Sequence, residues 1–141
     1  MDFKNNYDKG WKRFIWSFRY ASSGLKQAFV HEQNLKFHLL IAFLVITLSF
    51  VLKIPLYEKL ILLLVIGVVI ALEVVNTAIE RVVDLVTKEY HPMARVAKDV
   101  SAGAVLIFSI FAVVIGLLIF YEPVVSWLVG MEIVPTTKEE T

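Results

Sequence analysis

Residues 73–84 read EVVNTAIERVVD and continue directly from an uncharged run, residues 60–72. An α-helix turns by about 100° per residue, so the spacing predicts that the polar side chains of this stretch share one face. The residues expected on that face are Glu73, Asn76, Thr77, Glu80, Asp84 and Thr87. Carboxylates on a helix that begins as a membrane span are energetically costly. The face is therefore a candidate functional site.

The composition indicates a membrane protein with a single domain, residues 1–141. Of the 141 residues 58% are hydrophobic, the net charge is +1 and cysteine is absent. The near-neutral charge gives no indication of nucleic-acid binding. The lack of cysteine excludes disulfides, thiolate metal sites and a cysteine nucleophile. The first 35 residues carry several lysines and arginines and no long apolar run, so a cleaved signal peptide is not expected.

Hydrophobic periodicity predicts an all-α fold with one surface helix and three membrane spans. Apolar and aromatic residues at helical spacing over 11–30, next to basic residues, predict an amphipathic helix at the membrane interface. A helix packed against a partner subunit is the alternative. The predicted spans are 35–52, 58–88 and 94–121. Residues 122–141 are expected to form a tail with a disordered end.

Loop charges predict how the helices are oriented. The N-terminal segment and the 88–98 connector carry more Lys and Arg than the other loops, which predicts a cytoplasmic N-terminus. A helix over 58–88 would be about 45 Å long, whereas the hydrocarbon core is about 30 Å thick. Its acidic half should therefore emerge on the cytoplasmic side, with Glu73 still in the core, Glu80 at the interface and Asp84 in water.

The chemistry available at that interface is that of carboxylates and basic groups. The sequence lacks a Walker phosphate loop, a Gly-x-Gly-x-x-Gly motif and a His-Glu-x-x-His motif. Carboxylates expected there are Glu32, Glu80, Asp84, Glu89 and Asp99, and oxygen ligands favour Mg²⁺ over transition metals. Basic residues suited to phosphates are Arg13, Lys36, Arg81, Arg95 and Lys98. This combination favours phosphoryl transfer to an amphiphile.

Simpler interpretations of the charged residues are also open. Arg81 and Asp84, three residues apart, have the spacing of an ordinary helix ion pair, as do Glu32 and Lys36, four apart. The Lys98-Asp99 pair has a position from which it could cap the third span.

The polar residues within the spans have a structural alternative as well. Glu73 and Asn76 could hold an oligomer together through interhelical hydrogen bonds. The three histidines, His31, His38 and His91, are expected to be interfacial polar residues rather than metal ligands. A non-enzymatic membrane scaffold is thus the alternative of another functional class. An ion-conducting role is disfavoured because no matching carboxylates occur in the outer half of any span.

Two motifs resemble the prokaryotic integral-membrane diacylglycerol kinase family. They are Glu73-x-x-Asn-Thr-Ala-Ile-Glu80-x-x-Val-Asp84 and Ala97-Lys-Asp-x-x-Ala-Gly-Ala-Val105. The resemblance covers about residues 11–121, and residues 91–104 resemble the Gram-positive branch, whose members are undecaprenol kinases. It implies a homotrimer in the bacterial cell membrane, with sites shared between subunits on the cytoplasmic side. MgATP would be the phosphate donor and a lipid alcohol the acceptor.

The resemblance also implies roles for individual positions. Glu73 matches the catalytic base, with Asn76 beside it and Lys98 as the third catalytic position. Glu32 and Glu80 match the pair that holds the metal ion. The positions matched to contacts with the nucleotide or its metal are Arg13, Tyr20, Glu32, Glu80, Glu89, Tyr90, His91, Lys98 and Asp99. The chain departs from the Gram-negative branch at His38, where that branch has a second Glu, and at Ala21, where it has Ser.

From these observations the chain is expected to be a lipid kinase that transfers the γ-phosphate of ATP to undecaprenol, giving undecaprenyl phosphate. The alternative within the same class is a diacylglycerol kinase, which gives phosphatidic acid.

Overall fold

A computed structural model describes residues 10–130, and every regular element in that range is an α-helix. The helices are α1 (Gly10–His31), α2 (Gln33–Val51), α3 (Leu56–Val86) and α4 (Pro92–Val129). The last three are long and apolar enough to cross a membrane. The predicted all-α class, one amphipathic helix followed by three spans, is confirmed. The disordered end that was expected for the tail lies outside the described residues.

Prolines and left-handed residues set several of the helix ends. Pro55 immediately precedes α3, and Pro92 is the first residue of α4. Neither position needs a backbone N–H for a helical hydrogen bond, so proline costs nothing there. After α2, Lys53 has a φ of 53°, and Gly130 ends α4 with a φ of 68°. Glycine takes this left-handed conformation without a steric penalty, which explains the end of α4.

Helix α4 continues beyond the end that the sequence predicted at Tyr121. It passes through Pro123 and ends at Val129, so residues 122–129 are helical rather than part of a tail. An internal proline removes the hydrogen bond to the carbonyl of Ile119. The apolar residues after it still favour a helix, because an extended chain would leave its backbone polar groups unpaired in an apolar environment.

Helix α3 is the centre of the molecule and packs against both α2 and α4. Its first half buries apolar side chains, including Leu62, Val65 and Val69. Its second half buries polar ones, whereas large apolar side chains on the outside, such as Phe43 and Leu118, are exposed. This arrangement, polar inside and apolar outside, is the one that a lipid solvent favours. It places the polar stretch of α3 between two other helices.

Candidate active site

The polar face of α3 points into the protein, as its spacing predicts. Glu73 is 3% exposed and Asn76 is 5% exposed, whereas Val75 on the opposite face is 54% exposed. Thr87 departs from the prediction because α3 ends at Val86 and Thr87 is its extended C-cap residue. Its hydroxyl instead accepts a hydrogen bond from the Glu89 backbone N–H at 3.2 Å. Thr87 therefore belongs to the connector and not to the polar face.

Two residues of α2 belong to the surroundings of the Glu73 carboxylate. The Asn34 side chain and the His38 imidazole both contribute to its electrostatic environment, as do the carboxylates of Glu32 and Glu80. The polar residues at the start of α2 and those on the buried face of α3 are therefore neighbours.

Asn34 was not predicted as a site residue, although a sequence signal exists. It lies two residues after Glu32 and four before His38, so Asn34 and His38 share one face of a helix. The sequence identified His38 only as a departure from the Gram-negative branch. Its position beside Glu73 makes it part of the candidate site.

Glu32 occupies the single non-helical position between α1 and α2. Its backbone is extended, with φ −94° and ψ 118°, so the chain changes direction there. An Arg81 guanidinium nitrogen lies 3.1 Å from Glu32 Oε1, which joins this break to α3 next to Glu80. The two ion pairs that helix spacing allows, Arg81–Asp84 and Glu32–Lys36, are replaced by other contacts. Arg81 pairs with Glu32 instead of Asp84, and Lys36 Nζ donates to the Val30 carbonyl at 2.8 Å.

A hydrogen-bond chain links α4 to Glu80. The Asn76 side-chain nitrogen lies 3.2 Å from Glu80 Oε1 on the same helix. The Ser101 hydroxyl oxygen lies 2.6 Å from Asn76 Oδ1, and Ser101 is 8% exposed. Asn76 and Glu80, which lie on the same face of α3 as Glu73, are therefore held in one network with a residue of α4.

The connector between α3 and α4 forms a polar cavity of about 330 Å³. Its charged and aromatic lining consists of Asp84, Lys88, Glu89, Tyr90, His91, Arg95 and Lys98. At its wall Lys98 Nζ lies 2.6 Å from Asp84 Oδ1, which joins α4 to α3. The structure thus brings Lys98 together with the predicted nucleotide-contacting run 89–91. Several cations around one cavity suit phosphate groups.

The other predicted nucleotide-contacting residues do not line this cavity. Arg13 and Tyr20 lie on the exposed face of α1, where Tyr20 stacks on Trp16 with ring centres 6.0 Å apart. Asp99 lies on the outside of α4 and pairs with Arg95 at 3.5 Å. Within one chain these three residues are separate from the connector cavity.

Glu32 and Glu80 are the carboxylates that could share a metal ion. Within residues 10–130, no three His, Asp or Glu side chains lie close enough to form a metal site by themselves. Mg²⁺ in enzymes that bind nucleotides is commonly held by one or two carboxylates together with phosphate oxygens. Two carboxylates on the same side of the molecule as the connector cavity, with its lysines and arginine, fit an ion that is shared with a nucleotide.

A second cavity, of about 490 Å³, lies between the three helices that are long and apolar enough to cross a membrane, α2, α3 and α4. Its lining is apolar except for His38 and Ser109, and small residues such as Ala112 and Gly116 make room in it. His38 lines this cavity and also contributes to the electrostatic environment of Glu73, so that one end of the cavity lies towards this acidic residue. A volume of this size is typical of small-molecule sites.

Comparison with known proteins gives a consistent result along most of the chain. The family profile described as "Prokaryotic diacylglycerol kinase" matches residues 19–120. A Bacillus subtilis protein named undecaprenol kinase is 41% identical over 120 residues, which is 85% of this chain and 97% of the relative. A Synechocystis diacylglycerol kinase is 40% identical over 114 residues, 80% of this chain and 65% of the relative. An Escherichia coli diacylglycerol kinase is 31% identical over 109 residues, 77% of this chain and 89% of the relative.

Proposed function

The chain belongs to the prokaryotic diacylglycerol kinase family, and within it we propose that this ATP-dependent membrane kinase phosphorylates undecaprenol. The observation that carries the proposal is the buried carboxylate of Glu73, which lies on α3 between the residues that line the apolar cavity, up to Ile70, and those that line the connector cavity, from Val83. A lipid alcohol and a nucleotide can approach such a group from opposite sides. The choice of undecaprenol is supported by the relative of that name, which aligns over nearly its whole length.

Glu73 is the proposed general base for the acceptor hydroxyl. A general base has to lie within hydrogen-bond reach of the proton that it removes. Asn34 and His38, which belong to the electrostatic environment of this carboxylate, offer polar partners for a lipid headgroup. The hydrocarbon chain of the acceptor would lie in the adjoining apolar cavity, because burial of that chain is favourable where the lining is apolar. Glu73 would then meet the hydroxyl at the end of the chain.

The nucleotide side of the site consists of Glu32, Glu80 and the connector cavity. Glu32 and Glu80 would hold Mg²⁺, which when bound neutralises charge on the transferring phosphates. Arg81 holds the Glu32 carboxylate against α3 through an ion pair. Asn76 holds the Glu80 carboxylate through a hydrogen bond along the same helix. Lys98 would offset the negative charge that develops on the γ-phosphate, because its ammonium group lies at the wall of the connector cavity, where α4 meets α3.

The functional unit we propose is a homotrimer in the bacterial cell membrane, with the N-terminus and the site on the cytoplasmic side. Each chain contributes one membrane domain, 1–141. Arg13, Tyr20 and Asp99 are exposed in the single chain and would contact nucleotide in a site shared with a neighbouring subunit. The exposed apolar face of α1 supports an interfacial position for this helix.

A side-by-side assay with radiolabelled ATP tests the choice of acceptor. Purified protein in mixed micelles is given undecaprenol or diacylglycerol at matched mole fractions, and the phosphorylated lipid is measured. We expect a kcat/KM at least about tenfold higher for undecaprenol, a difference of about 1.4 kcal/mol in transition-state binding.

Diacylglycerol kinase activity is the second candidate, because other relatives of the chain carry that name. A clear preference for diacylglycerol would establish that alternative and refute the choice of undecaprenol. Turnover of neither lipid would refute the kinase assignment itself.

A further inference from the structure

Ser101 contributes a buried hydroxyl to the contact between α4 and α3. Its Oγ lies 2.6 Å from Asn76 Oδ1 and 2.9 Å from the carbonyl oxygen of Lys98, one turn earlier on its own helix. In the sequence this position belongs to a row of small residues at helical spacing, Ala94, Ala97, Ser101 and Ala104. Small size alone would allow the helices to approach closely. The hydroxyl adds a polar contact that alanine at the same position would not make.

The direction of each hydrogen bond follows from what the groups can donate and accept. The Glu80 carboxylate only accepts, so the amide nitrogen of Asn76 must face it. The amide oxygen of Asn76 then faces Ser101, and because that oxygen only accepts, the hydroxyl must donate. The carbonyl oxygen of Lys98 is a second acceptor for the same hydroxyl, and the Asn76 oxygen is the nearer of the two. Hydrogen is therefore donated from Ser101 to Asn76 and from Asn76 to Glu80.

We propose that Ser101 is a positioning residue, which acts through Asn76 to fix the Glu80 carboxylate for metal binding. The inference rests on the proposed role of Glu80 in holding Mg²⁺. The Asn76 amide uses one lone pair of Oε1, so Glu80 would still have oxygen lone pairs with which to hold the ion. Without the hydroxyl the buried Asn76 oxygen loses this partner. The amide then gains freedom to rotate, and the position of Glu80 becomes less defined.

Metal binding by four purified proteins tests the proposal: the wild type, Ser101→Ala, Ser101→Thr and Ser49→Ala. Ser49 on α2 is a matched control, because it is also buried and donates only to a backbone carbonyl, that of Ile46 at 2.7 Å. Binding of Mn²⁺ in place of Mg²⁺ is followed by electron paramagnetic resonance with a non-hydrolysable ATP analogue. The Mg²⁺ dependence of kcat and KM is measured in parallel, and gel filtration checks assembly.

Ser101→Ala should weaken Mn²⁺ binding about three- to tenfold, the amount expected for the loss of one hydrogen bond. The half-saturating Mg²⁺ concentration should rise similarly while kcat at saturating Mg²⁺ changes less than about twofold. Ser101→Thr keeps a hydroxyl and should restore binding, and Ser49→Ala should match the wild type.

Unchanged Mn²⁺ affinity in Ser101→Ala would overturn the proposal, as would equal weakening in Ser49→Ala or no recovery in Ser101→Thr. One further pair of results would also overturn it. In that case Ser101→Ala does not assemble, and Ser101→Thr assembles but shows no Mn²⁺ binding above background. Failure of the proposed function looks different. In that case the wild type itself would neither bind Mn²⁺ with nucleotide nor phosphorylate a lipid.

Discussion

Glu73 is a carboxylic acid that the protein buries on a helix long and apolar enough to cross a membrane. Groups of this kind are costly within a bilayer, so they are retained where a function needs them. Asn34 and His38 on α2 supply polar neighbours on one side, and the network through Asn76 to Glu80 supplies them on the other. The buried carboxylate thus has polar groups in its surroundings on two helices, and it is placed to meet a substrate that arrives from lipid.

The ion pair between Arg81 and Glu32 leads to a prediction about nucleotide binding. The pair is partly exposed, so Arg81→Met should change the free energy of unfolding by less than about 1 kcal/mol. It should nevertheless raise the KM for MgATP about three- to tenfold, because Glu32 would no longer be held beside Glu80. Steady-state kinetics at saturating lipid measure this change.

Lys59→Met is the matched control for that variant. Lys59 lies near the start of α3, at the end opposite Arg81, with its ammonium group 4.2 Å from the centre of the Phe50 ring, so the substitution removes the same charge away from the site. Its KM for MgATP should stay within about twofold of the wild type. An unchanged KM in Arg81→Met, or an equal rise in Lys59→Met, would show that the ion pair does not position Glu32.

The residues of the site differ in how far the sequence could predict them. The inward face of Glu73, Asn76 and Glu80 follows from helical periodicity alone, and the structure agrees with it. The partner of Arg81 could not be predicted, because Glu32 is 49 positions away in the sequence and the contact depends on how α3 packs on the α1–α2 break. The same holds for Ser101 and Asn76, which are 25 positions apart on different helices.

At the level of the helices, the sequence predicted which segments are helical better than where they end. Periodicity and apolar length identified α1 and the three spans, since both signals extend over many residues. The end of α4 was placed too early because Pro123 is ordinarily a helix breaker. In an apolar surrounding the unpaired backbone groups of a broken helix cost more than one missing hydrogen bond.

Pro123 gives a prediction about the stability of α4. Pro123→Ala restores the backbone N–H that can pair with the Ile119 carbonyl, and alanine is a strong helix former. We expect the free energy of unfolding to rise by about 1–3 kcal/mol. Denaturation with SDS from a fixed mild detergent, followed by circular dichroism, measures this difference.

Pro55→Ala serves as the control for the helix variant. Pro55 lies before the first residue of α3, so no helical hydrogen bond is missing there and the change should be within about 0.5 kcal/mol. A loss of stability in Pro123→Ala would contradict the account of α4. It would indicate that the bend at Pro123 itself is needed for packing.

The whole molecule combines an apolar exterior with a row of inward-facing polar residues on α3, Glu73, Asn76 and Glu80, which we call the polar seam. The apolar cavity lies between the spans. The connector cavity lies where α3 ends and α4 begins. Along the axis of α3, Glu73 and Glu80 are seven residues, or about 10 Å, apart. This separation lets one helix serve a lipid acceptor at one level and a nucleotide at the next.

A membrane scaffold would use the same polar seam only to hold helices together, and assembly separates that alternative from a kinase. In a scaffold, changes in the seam would impair assembly. In a kinase they would leave an assembled protein that binds nucleotide and does not turn over.

The most direct measurement is therefore the phosphorylation rate of a Glu73→Gln variant that has been purified as an assembled, MgATP-binding protein. Glutamine keeps the size of the side chain and removes the base. We predict an unchanged elution volume and unchanged nucleotide binding, with kcat for undecaprenol reduced at least about 10²- to 10⁴-fold, the usual contribution of a general base. A rate close to that of the wild type would contradict the central claim that Glu73 accepts the proton of the lipid alcohol.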